Sequence, residues 1–335
     1  MYIAFAMKKT FFSVLIVAEL IIIIVILAYI IRTRGIETVI TPFSQEDIIS
    51  ASSSLMYYYD LATEQKTSVP EWLPYKPEYV RNNDQLNDRF DYTVDKPADT
   101  YRIITLGDSW GFGMHVSTKD NYSERVEDSL NENLASGKLA CDGITKFEVL
   151  NLGVGGYDIE YMVERLRLRG MKYEPDLVLP IIKPDDFLLV NEVFQSKLRP
   201  LYEAYGDLSA KTVDGVPRNP RQELSEQVER EIMETFTPQE LDAHAKKALA
   251  TLFGFYRGSV LFFVYGRLSA SQQGILQEFA ESHESTFVFD TIATLAPEEK
   301  VPYDEHPGVS GHDRFARELY RYMIEEKVIP CIERI

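Results

Sequence analysis

Three residues far apart in the chain carry the side chains of a nucleophilic centre: Ser109 in GDSWGFG, with Asp304 and His306 in VPYDEHPGVSGH. A serine hydroxyl is a weak nucleophile, so it needs a base that takes its proton during attack and later returns it to the leaving group. His306 has the chemistry of that base. Asp304 has the chemistry of the acid that orients the imidazole and stabilises its charged form. Negative charge developing on an acyl oxygen needs donors, and the candidates are the backbone N–H groups of Ser109 and of Gly153, in NLGVGG. Glycine suits that place because the missing side chain lets backbone approach closely.

Other residues gather around these motifs. Trp110 and His115 follow the serine closely enough to line a pocket, and KPDDF contributes Asp185 and Asp186. His312 belongs to the entry of a terminal helix, while His244 and His283 lack metal-ligand spacing, so no metal site is expected. GDSWGFG has neither the lysine and spacing of a phosphate-binding loop nor the ending of the dinucleotide fingerprint, so its glycines imply no nucleotide, and no cofactor is expected.

The elements that must position these residues follow an alternating pattern. Short apolar runs at 101–106, 147–152, 176–182, 259–265 and 286–292 read as strands, several without strict polar alternation, as in a sheet buried on both faces. Helical stripes lie between them: Tyr122, Val126, Leu130 and Leu134, then Ile159, Met162, Val163 and Leu166. Phe315, Ala316, Leu319, Tyr322 and Met323 mark a last helix. This predicts an α/β fold with a mainly parallel sheet covered by helices. In such sheets sites form at the carboxyl ends of strands, where Ser109, Gly153 and Asp185 all fall. The interval 191–258 breaks the rhythm with a turn-rich segment and a charged helical stretch from about 220 to 250. It reads as an insertion in a body spanning 101–335, after a turn-rich lead-in over 36–100.

Composition narrows the function further. The 335 residues carry a formal charge of -17, which disfavours a nucleic-acid partner. That figure divides into +3 on residues 1–35 and -20 on the other 300. Thr10–Ile31 is an apolar run of 22 residues, about 33 Å as a helix, enough to cross a hydrocarbon layer of roughly 30 Å. Residues 1–35 therefore read as a retained single-pass membrane anchor, with Glu19 inside the run as the residue that requires a partner, protonation or an interface. Cys141 and Cys331, the two cysteines present, permit one long-range disulfide.

GDSWGFG, NLGVGG and DEHPGVSGH together resemble the blocks of the SGNH/GDSL hydrolase superfamily over most of residues 101–325. The resemblance implies a flavodoxin-like three-layer α/β/α sandwich and acyl-ester chemistry. It maps the nucleophile and one oxyanion donor onto Ser109, another donor onto Gly153, the base onto His306 and the orienting acid onto Asp304. It also implies an exported, membrane-attached protein with a cytoplasmic N-terminus, acting on an acyl ester, with an acylated cell-envelope glycan as one substrate class. Two departures stand out. Asp185 occupies the place of an asparagine donor, where an ionised carboxylate repels the developing charge. The acid and histidine are separated by one residue, where the family commonly has two. These departures leave two alternatives beside the esterase or deacylase: transfer of the acyl group to a glycan, and a glycan-binding or envelope-assembly module of impaired activity.

Overall fold

A computed structural model describes residues 55–61, 70–209, 211–291 and 294–334. The apolar run Thr10–Ile31 lies outside these residues; among those described, no helix is long and apolar enough to cross a membrane.

Five parallel strands form the central sheet: β1 (Thr100–Leu106), β3 (Lys146–Asn151), β4 (Leu177–Ile182), β7 (Ser259–Val264) and β8 (Thr286–Asp290), in the order β3-β1-β4-β7-β8. Each matches an apolar run expected from the sequence. Successive side chains of a strand point to opposite faces, and here both faces are buried. Ile103, Val149, Leu179 and Phe263 enter one core, and Ile104, Leu150, Val178 and Phe262 the other. Apolar residues are therefore required at nearly every position, which is why the runs do not alternate.

The first core is closed by α2 (Tyr122–Ala135) and the terminal helix α8 (Val309–Glu325). The short α1 (Ser109–Phe112) precedes them at the end of β1. On the opposite face lie α3 (Ile159–Arg165), α6 (Pro238–Phe255) and α7 (Ala270–Ser282). The result is a helix-sheet-helix sandwich. In the interval 191–258, α4 (Asn191–Tyr205) and α5 (Pro220–Thr235) build a separate small core from Leu189, Phe194, Leu198, Val228, Ile232 and Leu241. An exposed hairpin, β5 (Lys211–Val213) with β6 (Val216–Arg218), connects them. The second half of α6 instead packs on the sheet through Ala245, Leu249 and Phe253.

Before Thr100 the described residues contain turns and one isolated bridge, Arg81 to Asn87, and no helix or strand. At the other end, β9 (Cys331–Glu333) pairs antiparallel with β2 (Leu139–Cys141), and a Cys141–Cys331 disulfide joins them. The bond spans a separation of 190 residues. In the chain-entropy account, constraining an unfolded loop of that length contributes about 5 kcal/mol.

His312, in the first turn of α8, is buried and accepts a hydrogen bond at Nδ1 from the Tyr122 N–H, 3.2 Å away. Burial first, then the charges of Arg125 and His306, lower its pKa to about 3. Because the folded value lies below the unfolded one of about 6.5, the unfolded state binds the extra proton as pH falls. The full contribution of neutral His312 is thus present above about pH 6.5 and is lost as pH falls toward 3. Unfolding free energy should drop by about 2 kcal/mol from pH 8 to pH 5 through this group. His312→Gln, which keeps an acceptor for Tyr122, should remove that part of the pH dependence in denaturant titrations at the two pH values.

Candidate active site

The chain leaves β1 toward β3 on one side and then returns to β4 on the other, so the carboxyl ends of β1 and β4 flank the point where the connections diverge. Ser109 stands there, at the start of α1. Asp108 caps this turn by accepting the Trp110 N–H at 2.8 Å. The far end of the turn is held by amides: Phe112 C=O accepts from Asn87 Nδ2 at 2.8 Å, Asn121 Nδ2 at 2.7 Å and Asn151 Nδ2 at 3.4 Å. None of these three asparagines was singled out from the sequence, although NLGVGG contains one of them.

Ser109 Oγ lies 2.7 Å from His306 Nε2. On the other side of the ring, Nδ1 contacts Asp304 Oδ1. The same oxygen accepts the His306 backbone N–H at 2.8 Å. An aspartate accepting from the backbone two residues on closes a tight local turn, which lets a spacing of only one intervening residue bring carboxylate and imidazole together. Serine, imidazole and carboxylate are thus linked in one line, joining positions 197 residues apart.

Asp304 has a second imidazole. His115 Nε2 is 3.5 Å from Asp304 Oδ2, and its ring meets that of His306 edge-on with centroids 5.4 Å apart. His115 is buried, has a left-handed backbone with φ of 68°, and donates its N–H to Tyr79 Oη at 2.8 Å. Left-handed backbone is uncommon for residues other than glycine and requires support from its surroundings. Burial alone would favour the neutral Asp304 carboxyl. Hydrogen bonds from His115 and His306, with the charge and backbone N–H of His306, outweigh it and hold the group well below the usual carboxylate range.

Gly153 is placed differently from the expectation. Its N–H donates to Asn151 Oδ1 at 2.9 Å, and a Cβ there would lie 2.3 Å from Phe112 N. Close backbone approach does require this glycine, but the approach is to the serine-bearing turn. Gly155 and Gly156, two and three residues later, are the ones that face the cavity. A Cβ on Gly155 would lie 3.8 Å from Ser109 Cβ, and the Gly155 C=O accepts from Tyr59 Oη at 2.9 Å. Asn191 Nδ2 holds the Gly156 C=O at 2.7 Å. The lead-in and α4 therefore fix this loop from two sides.

Asp185 and Asp186 separate in role. Asp185 is exposed, and its Oδ2 binds Lys183 Nζ at 2.7 Å. Asp186 is buried and accepts the Lys183 backbone N–H at 2.7 Å. Burial, then the charges of Asp108 and Asp185, push its pKa well above the usual value against the pull of Lys183. Lys183 Nζ also lies 2.9 Å from Asp108 Oδ2 and 5.0 Å from the centre of the Trp110 ring. Burial opposes its charge, but Asp108, Asp185 and Asp186 outweigh that and raise its pKa above the usual lysine value.

Among the described residues, two donor sets are close enough for a metal ion, His115 with Asp304 and His306, and Asp108 with Asp185 and Asp186. In the first, the ring and carboxylate atoms already bind one another and Ser109. In the second, the Lys183 ammonium stands where a cation would.

A cavity of about 890 Å³ opens here, lined by Ser109, Trp110, His115, Asp185, Asp186 and His306 among others. Met114, Leu189, Phe194 and Leu198 supply apolar wall, while Asn219, Gln222 and Ser225 from the start of α5 supply a polar one. The arrangement can activate a hydroxyl for attack on a carbon that fits beside it.

No protein-family model matches the chain, and no curated protein does. Among solved structures it is similar to TesA, at 12% identity over 68% of this chain and 99% of that one, with a TM-score of 0.42. It is also similar to the Clostridium thermocellum family 3 carbohydrate esterase, at 15% identity over 68% and 97%, TM-score 0.39. A third is the psychrotrophic esterase EstA from Pseudoalteromonas sp., at 10% identity over 66% and 94%, TM-score 0.39.

Proposed function

We propose that the chain is a serine esterase that cleaves acyl esters through an acyl-enzyme intermediate. The observation that carries this reading is the line Ser109 Oγ, His306 Nε2, His306 Nδ1, Asp304 Oδ1. As Ser109 Oγ bonds to the ester carbon, its proton passes to His306 Nε2 and the carbonyl electron pair moves onto oxygen. Collapse breaks the bond to the leaving alkoxide, which takes the proton from His306; water then repeats the sequence and releases the acid. The backbone N–H groups of Ser109 and Gly155 are the donors for the oxyanion. Gly155 replaces Gly153 in this role because the Gly153 N–H is engaged by Asn151.

A cavity of about 890 Å³ exceeds what a short acyl group needs, and its polar wall suits hydroxyl-rich matter, which favours an acylated glycan as substrate. We further infer a membrane-anchored protein with its body exported. The apolar run Thr10–Ile31 supports the anchor, and the Cys141–Cys331 disulfide supports an oxidising compartment.

The full chain should hydrolyse p-nitrophenyl acetate and release acetate from an O-acetylated oligosaccharide. Saturable oligosaccharide binding with no turnover of either would favour the binding-module alternative. Products acylated on an added glycan acceptor would identify transfer.

His115 acts as a positioning residue for Asp304. A hydrogen bond to a charged group contributes about 1.5–3 kcal/mol, which corresponds to roughly 10–100-fold in rate. His115→Ala should lower kcat by that factor with KM little changed, and His115→Gln should restore part of the loss. Equal loss in both variants, or a change confined to KM, would count against the positioning role.

A further inference from the structure

Lys183, a buried lysine at this site, has no place in the ester-cleavage reaction described above. Lys183 follows β4, is buried, donates a hydrogen bond from Nζ to Asp185 Oδ2 at 2.7 Å and forms an ion pair with Asp108 Oδ2 at 2.9 Å. Its ammonium also lies 5.0 Å from the centre of the Trp110 ring. Lys183 also lines the same cavity as Ser109. Asp108 Oδ2 is shared: it lies 3.5 Å from Ser109 Oγ as well as 2.9 Å from Lys183 Nζ. One carboxylate oxygen therefore joins the nucleophile to a fixed positive charge. Burying the Lys183–Asp108 ion pair is unfavourable compared with packed apolar side chains, so its presence beside a nucleophile calls for a reason beyond stability.

Asp185 sharpens the point. An ionised carboxylate cannot donate and would repel an oxyanion. Lys183 Nζ, 2.7 Å from it, cancels that repulsion and supplies an N–H in the same neighbourhood. We propose that the Lys183 ammonium, held by Asp108 and Asp185, is a cationic donor to the oxyanion formed when Ser109 attacks an ester. It keeps its proton throughout; the proton that moves is the one exchanged between Ser109, His306 and the leaving group. The proposal rests on the serine-esterase reading and adds to it a catalytic residue from the KPDDF segment, where only the two aspartates were singled out.

Charge-matched variants test it. Lys183→Met/Asp185→Leu and Lys183→Met/Asp185→Asn each remove one positive and one negative charge and differ only in whether position 185 carries an amide donor. Folding is checked by thermal unfolding, and kcat and KM are measured on p-nitrophenyl acetate. Loss of an oxyanion donor lowers kcat about 10²–10³-fold. The leucine pair should show that loss with KM within about twofold of the parent, and the asparagine pair should regain tenfold or more. If both pairs turn over within about threefold of the parent, or both are equally slow, Lys183 is not a donor. Ser109→Ala run alongside separates the two levels: if it keeps full activity the serine reading itself fails, whereas if it is inactive while both double variants work, only the lysine proposal fails.

Discussion

Ser109→Ala is expected to lower kcat/KM on p-nitrophenyl acetate by on the order of 10⁴–10⁶-fold while leaving the unfolding midpoint nearly unchanged. The size follows from what is removed. Without Oγ there is no acyl-enzyme, and His306 loses the group whose proton it takes, so what remains is binding and the backbone donors acting on water. The small effect on stability follows from the surroundings. Oγ is only half-buried, and its partners are the His306 ring at 2.7 Å and a long contact to Asp108 at 3.5 Å. The turn itself is held by Asp108, Asn87 and Asn121 through backbone groups that alanine retains. Steady-state kinetics with urea unfolding checks both halves, and a variant retaining a tenth of the parent rate would be incompatible with Ser109 as nucleophile.

Asp304→Asn should be the second most damaging change, on the order of 10⁴-fold in kcat. A carboxylate accepts from both imidazoles, His306 through Oδ1 and His115 through Oδ2. An amide can accept from one and must present a donor to the other, which favours the wrong tautomer of one ring. The change also removes a pH-dependent contribution to stability. Because the folded pKa of Asp304 lies below its unfolded value of about 3.9, its contribution is fully present above about pH 4 and shrinks as pH falls below that. Asp304→Asn should therefore be less stable than the parent at pH 7, with the gap narrowing on acidification below pH 4. A gap that stays constant down to pH 2 would contradict a charged Asp304 held between two imidazoles.

The strands and the helical stripes were legible because a sheet buried on both faces demands unbroken apolar runs, and a helix on such a sheet demands a stripe. Ser109, Asp304 and His306 were legible as candidates because a nucleophilic serine, an acid and a base are particular side chains, here carried by the short motifs GDSWGFG and VPYDEHPGVSGH. Gly153 shows where that legibility stops. The reason for a glycine was read correctly, but Gly153, Gly155 and Gly156 stand in one short loop, and which N–H faces the serine depends on the Asn151 side chain that takes the Gly153 donor. His115 and Lys183 were harder still. His115 was visible only as a pocket candidate close after Ser109, and Lys183 stood in KPDDF without a role; the contacts that distinguish them are tertiary, with Asp304 from a turn 189 positions later and with Asp108 from another strand end. The interval 191–258 was visible as a break in rhythm. That the second half of α6 covers the sheet, with Ala245, Leu249 and Phe253 facing it, depends on which apolar residues pair in space.

The central claim is that Ser109 is activated by His306, and intact-protein mass spectrometry after treatment with a fluorophosphonate reads this without knowledge of the natural substrate. The parent chain should gain the mass of one phosphonyl group, located on Ser109 by peptide mapping. His306→Ala should label at least about 10³-fold more slowly, and Ser109→Ala should not label at all. A parent chain that stays unmodified, or a His306→Ala variant that labels at the parent rate, would contradict the account.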